Sequence, residues 1–458
     1  MSKVMVMRAM ALRARRSAAL AFGVGLCLLA LSGPAALAQQ EEAKPAPAPL
    51  TLQDCLRIAF QNSPKVVSAR LALVSARAQL TRSKSSYYPQ LAMGATQGST
   101  GSGDWSDERS DWQNTANLSL NMTLWQSGRS ESVRQSEWQL QASEVSQVDT
   151  LQGLVQQVTV DYYKVLAAKQ LVGVAEAGYE SAQQHLKEVQ TLIKYGKTAE
   201  VDIYAAEADM ARAEVDLINA RSGVQSALAG LKFTLGVPYT TELDAAPAEQ
   251  APAEALPSLE DAIDLAMRKR PDVQNDRINL ETRKLSLRQA NIRRGPTLDL
   301  GGRFGQPYSD WEAGNHSWSV LASLSWPLLD GGSTRAEVTS AQASLERAQA
   351  DHVQLVNQVA LEIRNALIEI QRTTESLKAT EKSLAAAQAR LRAAEAKYGR
   401  GVGILLEVTD ARASLTSAAA SLVRGDFDHR VALVALQRAM GVLALPEGVT
   451  AGAQRGSP

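Results

Sequence analysis

Few residues in this chain carry active-site chemistry, and none falls into a catalytic spacing. The four histidines, His185, His316, His352 and His429, are scattered, and no HExxH or CxxC pattern is present to hold zinc. The five methionines beyond residue 38 (Met93, Met122, Met210, Met267 and Met440) are dispersed, so they form no soft-metal relay. No nucleophile elbow or phosphate-binding loop occurs. The sequence thus points to no enzyme, cofactor or resident metal. One carboxylate pair has a spacing with consequences. Glu407 and Asp410, three residues apart in GVGILLEVTDA (401–411), share one helical face. Gathered with others of their kind, such groups attract cations and raise one another's pKa. Near the start of a single helix, they complement its dipole. Spacing alone leaves both readings open.

The elements that would position this pair are written twice. Leu52, Asp54, Ala59, Pro64, Arg70, Leu73, Leu80, Pro89 and Leu91 recur as Leu259, Asp261, Ala266, Pro271, Arg277, Leu280, Leu287, Pro296 and Leu298, at a constant offset of 207 residues. Later landmarks drift slightly: Gly128 answers to Gly332, Tyr195-Gly196 to Tyr398-Gly399, and Gly236 to Gly441. The copies, 51–237 and 258–443, are far longer than the roughly 20–50 residues of a solenoid repeat. They read as two halves of one pseudosymmetric body, joined by a proline-rich linker at 238–257 and followed by a tail at 444–458.

Residues 1–38 read as a secretory signal. Four arginines precede an apolar run from Ala18 to Leu31, and Ala36-Leu37-Ala38 supplies the cleavage pattern. Cys27 lies inside that run behind Leu26, where a lipoprotein signal has a small residue, and reads as an ordinary apolar-run cysteine. A Pro/Ala-rich linker follows at 39–50. Without residues 1–38 the chain holds 43 Lys+Arg against 48 Asp+Glu, a net charge of −5 that excludes a nucleic-acid binder. Cys55 is then the sole cysteine, so no intrachain disulfide can form.

No proline occurs from Gln90 to Val237 or from Leu328 to Leu445, which permits very long helices. The stretches 130–195 and 334–398 are rich in helix formers. Leu377, Leu384, Leu391 and Tyr398 fall seven apart, with Thr380, Ala387 and Ala394 between, and the seam resumes at Val408, Leu415 and Leu422. This predicts antiparallel helical hairpins turning near 196–202 and 399–404; the first has a weaker seam of Leu171, Ala175, Gly178, Ala182, Val189 and Leu192.

Strands are expected at about 89–97, 114–125, 296–305 and 316–328, with loops at about 98–113 and 306–315. Leu118, Leu120, Met122 and Leu124 alternate with polar residues, as do Trp318, Val320, Ala322, Leu324 and Trp326. Every tryptophan except Trp138 clusters here: Trp105, Trp112, Trp125, Trp311, Trp318 and Trp326. An aromatic girdle on an apolar-out, polar-in alternation marks a membrane barrel. Four strands cannot close one, and an open sheet edge does not survive in lipid, so several chains must contribute. The competing reading, an exported structural coiled-coil protein without channel activity, explains the heptads but neither the alternation nor the tryptophans.

The duplicated order of helix, strand hairpin, very long helix, glycine turn and returning helix resembles the TolC-like outer-membrane factor family. TLQDCLRIAFQNSP (51–64) and SLEDAIDLAMRKRP (258–271) are similar to its opening signature, Tyr87-Tyr88-Pro89 to the start of its first strand, and Leu329-Asp330-Gly331-Gly332 to its strand-to-helix exit. The resemblance implies a mostly α fold with transmembrane β: a homotrimer whose twelve-stranded outer-membrane barrel, set in lipid, continues into a periplasmic tunnel of coiled-coil helices. It implies a passive exit duct for efflux or type I secretion. Its partners would be a periplasmic adaptor (membrane fusion protein) and an inner-membrane RND or ABC pump. Glu407 and Asp410 fall on the family's acidic entrance ring, and Tyr398 and Asp202 on its closure contacts. Gly403 stands where the family carries a tip arginine, and Arg400 is the nearest residue to replace it.

Overall fold

In the computed structural model, residues 49–101, 110–196, 198–247, 256–309, 312–400 and 402–445 are described. The signal segment, residues 39–48 of the first linker, 248–255 of the second, the tail beyond 445, Trp105, Trp311 and the Trp112 side chain lie outside them.

Each copy opens with two short helices broken by proline: α1 (Leu52–Asn62) and α2 (Pro64–Ser85), then α5 (Leu259–Lys269) and α6 (Pro271–Ile292). The Thr51 and Ser258 hydroxyls accept the Asp54 and Asp261 backbone N–H, 3.2 Å each, as N-caps. Pro64 and Pro271 sit in the first turn of the next helix, where a missing N–H costs nothing. The long helices α3 (Arg129–Lys194) and α7 (Ser333–Gly399) run 66 and 67 residues, about 100 Å at 1.5 Å per residue. They pair with α4 (Asp202–Leu235) and α8 (Leu405–Ala439) as the hairpins expected from the heptads. In the second seam, Ala394, Val408, Ala411 and Ala418 are buried, and Leu377, Leu384, Leu391 and Leu415 are half-buried.

Both returning helices end on a left-handed glycine, Gly236 (φ +71°) and Gly441 (φ +70°). These positions admit no side chain. A Cβ at Gly236 would lie 2.8 Å from the Asn62 carbonyl oxygen, and one at Gly441 would lie 2.8 Å from the Arg270 nitrogen. Each glycine thus seats its hairpin on the proline break of its own copy. Two apolar clusters form there: Cys55, Phe60, Leu154, Val158, Tyr162, Leu231 and Leu235 in the first copy, and Ala266, Val273, Val359, Ile363, Ile370 and Leu436 in the second. Arg438 joins the copies by donating to Gln152 and Asp149 of α3. The ends of the two linkers are docked rather than loose. Leu50 N–H donates to the Asp244 carbonyl (2.7 Å), Ala246 N–H to Leu50 (2.9 Å), and the Tyr162 hydroxyl to Ala246 (2.7 Å).

The strands form one antiparallel sheet ordered β1 (Gln90–Gly101), β2 (Ser110–Gln126), β3 (Thr297–Ser309) and β5 (Ser317–Ser325), with the two-residue β4 (Glu312–Ala313) on the end of β3. β1 through β3 run longer than expected, at 12, 17 and 13 residues. Backbone pairing continues through stretches 98–101, 110–113 and 306–309 that read as loop, since a ladder is made by backbone N–H and C=O groups and does not require an apolar alternation. Pairing of β2 with β3 fuses the copies' hairpins into one sheet.

Register sorts the faces. Met93, Leu118, Phe304 and Trp318 form one cross-strand row, Leu91, Leu120, Gly302 and Val320 the next, then Met122, Leu300 and Ala322. The opposite face carries Ala92, Ser119, Arg303 and Ser319, then Gln90, Asn121, Gly301 and Leu321, then Thr123, Asp299 and Ser323. Alternation from Leu118 would put Leu124 on the apolar face and Trp125 on the polar one. A bulge between Thr123 and Trp125 reverses that parity and sets Trp125 beside Leu298 and Leu324. Met93 is 81 % and Trp318 74 % exposed, so this apolar face covers no core. A half-buried hairpin on a soluble body would have buried them.

Candidate functional site

The two hairpin turns hold the residues singled out in the sequence. At the second turn, the backbone N–H groups of Val402 and Gly403 both donate to the Lys397 carbonyl, 3.2 Å each. The loop passes so close to α7 that a Cβ at Gly403 would lie 3.0 Å from the Lys397 Cβ and from the Tyr398 nitrogen. Any side chain at 403 would press on α7 in this turn, so glycine lets the loop lie tight against the helix. Arg400 is exposed at the C-cap of α7.

Glu407 and Asp410 lie on the first turns of α8, exposed and on the same face. Lys397 Nζ approaches Glu407 Oε2 at 3.9 Å, an exposed pair worth little. Asp202 begins α4, and its carboxylate accepts the Thr198 hydroxyl. Among the described residues no hydrogen bond joins Asp202 to Tyr398, whose hydroxyl is buried without a partner.

Tyr398 instead packs between the hairpins, against Val189, Ala206 and Leu405 on one side and Ala394, Val408 and Ala411 on the other. Its ring meets His185 of α3 edge-on, centroids 6.0 Å apart. His185 is buried, and neither ring nitrogen has a hydrogen-bond partner among the described residues. Glu188 Oε2 lies 3.8 Å from Nδ1, within ion-pair range but too far for a hydrogen bond. Burial, and secondly the nearby Arg412 cation, hold the His185 pKa below its ordinary value. Arg412 of α8 spans the same seam, donating to the Ser181 carbonyl of α3 (3.1 Å) and to Glu395 of α7 (3.1 Å).

His185 and Arg412 were not among the residues the sequence pointed to. His185 carries a legible signal, because it fills the heptad position between Ala182 and Val189. Of the tryptophans, Trp125 and Trp326 flank the helix-joining end of the sheet and Trp318 the other end. Trp326 Nε1 donates to the Arg294 carbonyl at 2.9 Å. Among the described residues no His, Cys, Asp and Glu cluster could hold a metal, and no helix is long and apolar enough to cross a membrane.

This architecture has known counterparts. OprJ of Pseudomonas aeruginosa is 25 % identical over 177 residues, 38 % of this chain and 37 % of that relative. CyaE of Bordetella pertussis is 25 % identical over 324 residues, 68 % of each chain. The CmeC outer membrane channel of Campylobacter jejuni has the same fold, with a TM-score of 0.74 at 17 % identity over 88 % of both chains. The family model for outer membrane efflux proteins matches residues 55–237 and 262–442, one match in each copy. With both copies matched and an apolar, lipid-type face on its sheet, the chain belongs to the outer membrane efflux protein family and resides in the outer membrane.

Proposed function

We propose that this chain, after loss of residues 1–38, is the outer-membrane exit duct of a tripartite efflux or type I secretion system. It conducts passively what an inner-membrane RND or ABC pump delivers through a periplasmic adaptor. The observation that carries this reading is the sheet, with its apolar face exposed and its edges, β1 and β5, unpaired among the described residues. Lipid tolerates no open edge, so β1 of one chain must pair with β5 of another. Three chains would give twelve principal strands, polar side inward, continued by the long helices into a tunnel. The structural coiled-coil alternative leaves the exposed apolar face without a role.

In that trimer Glu407 and Asp410 would converge as six carboxylates at the periplasmic entrance, with Tyr398, Asp202 and Arg400 beside it. Such a ring makes the duct cation-selective and lets a multivalent cation block it from the periplasmic side. Planar-bilayer conductance of the reconstituted channel, with a trivalent cation added to each side in turn, tests this. The variant Glu407→Ala/Asp410→Ala should lose the block while its trimer yield holds, since each helix forfeits only about 0.3 to 1 kcal/mol per carboxylate. Unchanged block in that variant would leave the helix-dipole reading standing.

A further inference from the structure

Six buried side-chain polar atoms lack a hydrogen-bond partner among the described residues, and four of them share one seam: Nδ1 and Nε2 of His185, the Tyr398 hydroxyl and Nε of Arg412. The seam joins the first hairpin (α3, α4) to the second (α7, α8) beside the turns. Buried donors and acceptors without partners weigh against the packed arrangement and favour any arrangement that admits water. The seam is therefore closed by apolar contacts but poised to part. We propose that His185 is a pH-sensitive latch between the two hairpins, holding them together as neutral imidazole and releasing them when protonated. This rests on the duct reading above, because parting the hairpins matters only if their turns form the entrance.

The groups facing His185 fix the sign. Glu188 on its own helix and Asp209 on α4 favour the imidazolium, Arg412 on α8 opposes it, and Tyr398 on α7 offers an aromatic edge contact. Arg412 is itself engaged by Glu395 of α7. Burial, the largest influence, opposes the charge, so the closed seam binds the proton more weakly than an opened, hydrated one. Closure is thus undisturbed above the ordinary histidine value of 6.5 and is lost progressively as pH falls below it. Each unit of pKa difference between the two states shifts their ratio about tenfold per chain once protonation is complete.

The test is conductance of the reconstituted, signal-free channel in planar bilayers from pH 7.5 to pH 5. The parent should show a rise with a midpoint below 6.5. His185→Phe, which keeps a flat ring, should abolish the rise. Glu188→Gln, at an exposed position where folding is not at risk, should move the midpoint to lower pH, because Glu188, three residues along the same helix, stays beside the ring when the hairpins part and favours the imidazolium in the opened seam, the state that takes up the proton. A parent with current but no rise, a rise that survives in His185→Phe, or a midpoint indifferent to Glu188→Gln would each overturn the latch and leave the duct intact. A parent with no current at any pH would remove the duct reading and the latch with it.

Discussion

Leu120 offers the sharpest test of how the sheet meets the membrane. It sits in the cross-strand row Leu91, Leu120, Gly302 and Val320, with a further apolar row on one side and two on the other. From Leu298 to Phe304 these rows span about 20 Å along the strand, so Leu120 lies well inside the hydrocarbon. An arginine near the midplane of a barrel's lipid face costs about 2 to 4 kcal/mol, and threefold assembly repeats it, giving roughly 6 to 12 kcal/mol per trimer. Since 1.4 kcal/mol is a factor of ten, Leu120→Arg should leave almost no assembled channel. Ser323→Arg belongs to the other face and stands directly opposite Asp299. There the guanidinium would meet a carboxylate, worth about 0.2 to 1 kcal/mol in its favour, in an interior open to water. The assay is the fraction of heat-dissociable trimer in outer-membrane extracts, compared at equal expression. Equal trimer yields for the two variants would refute the assignment of faces, and with it the argument that the exposed apolar side faces lipid.

Two further predictions concern the packing beneath the hairpins. Arg270, with a side chain 12 % exposed, is held by Asp272 (2.6 Å), Glu362 (2.8 Å) and the Ala439 carbonyl (3.1 Å). Arg270→Gln leaves two carboxylates without their cation; because both are partly exposed, water recovers some of the loss, and the expected destabilisation is about 1 to 3 kcal/mol. A melting temperature by circular dichroism equal to the parent's would contradict this. Gly236→Ala and Gly441→Ala should both lower that melting temperature more than Gly331→Ala does. All three place a side chain at positive φ, roughly 1 to 2 kcal/mol of strain, but at Gly331 a Cβ meets nothing within 4 Å, whereas at the other two it strikes backbone.

Much of this protein is decided locally and can be read residue by residue. The Thr51 and Ser258 caps, the prolines behind them and the proline-free stretches set where helices start, break and run on, because helix termini and ring geometry act within a turn of the chain. The heptads specify a hairpin partner because only one stripe of α7 and α8 is apolar. The 207-residue offset declares two equivalent halves before any contact is known.

Other features depend on what comes near in space. The bulge that carries Trp125 onto the apolar face follows from fitting β2 against β3, 176 residues away at the Thr123–Asp299 hydrogen bond, and no local pattern encodes it. The lengthened strands come from ladder bonds between backbones, to which Gly and Ser side chains contribute nothing. Gly403 reads in sequence as a missing arginine, but in the fold it is where the loop lies tight against α7, so that a Cβ would press on Lys397 and Tyr398. The His185–Tyr398–Arg412 seam exists only because the two hairpins pack side by side, bringing residues more than 200 positions apart into one buried site. Periodicity could place His185 on a buried stripe, but its lack of partners depends on which groups the other hairpin presents, and that is a property of the tertiary structure alone.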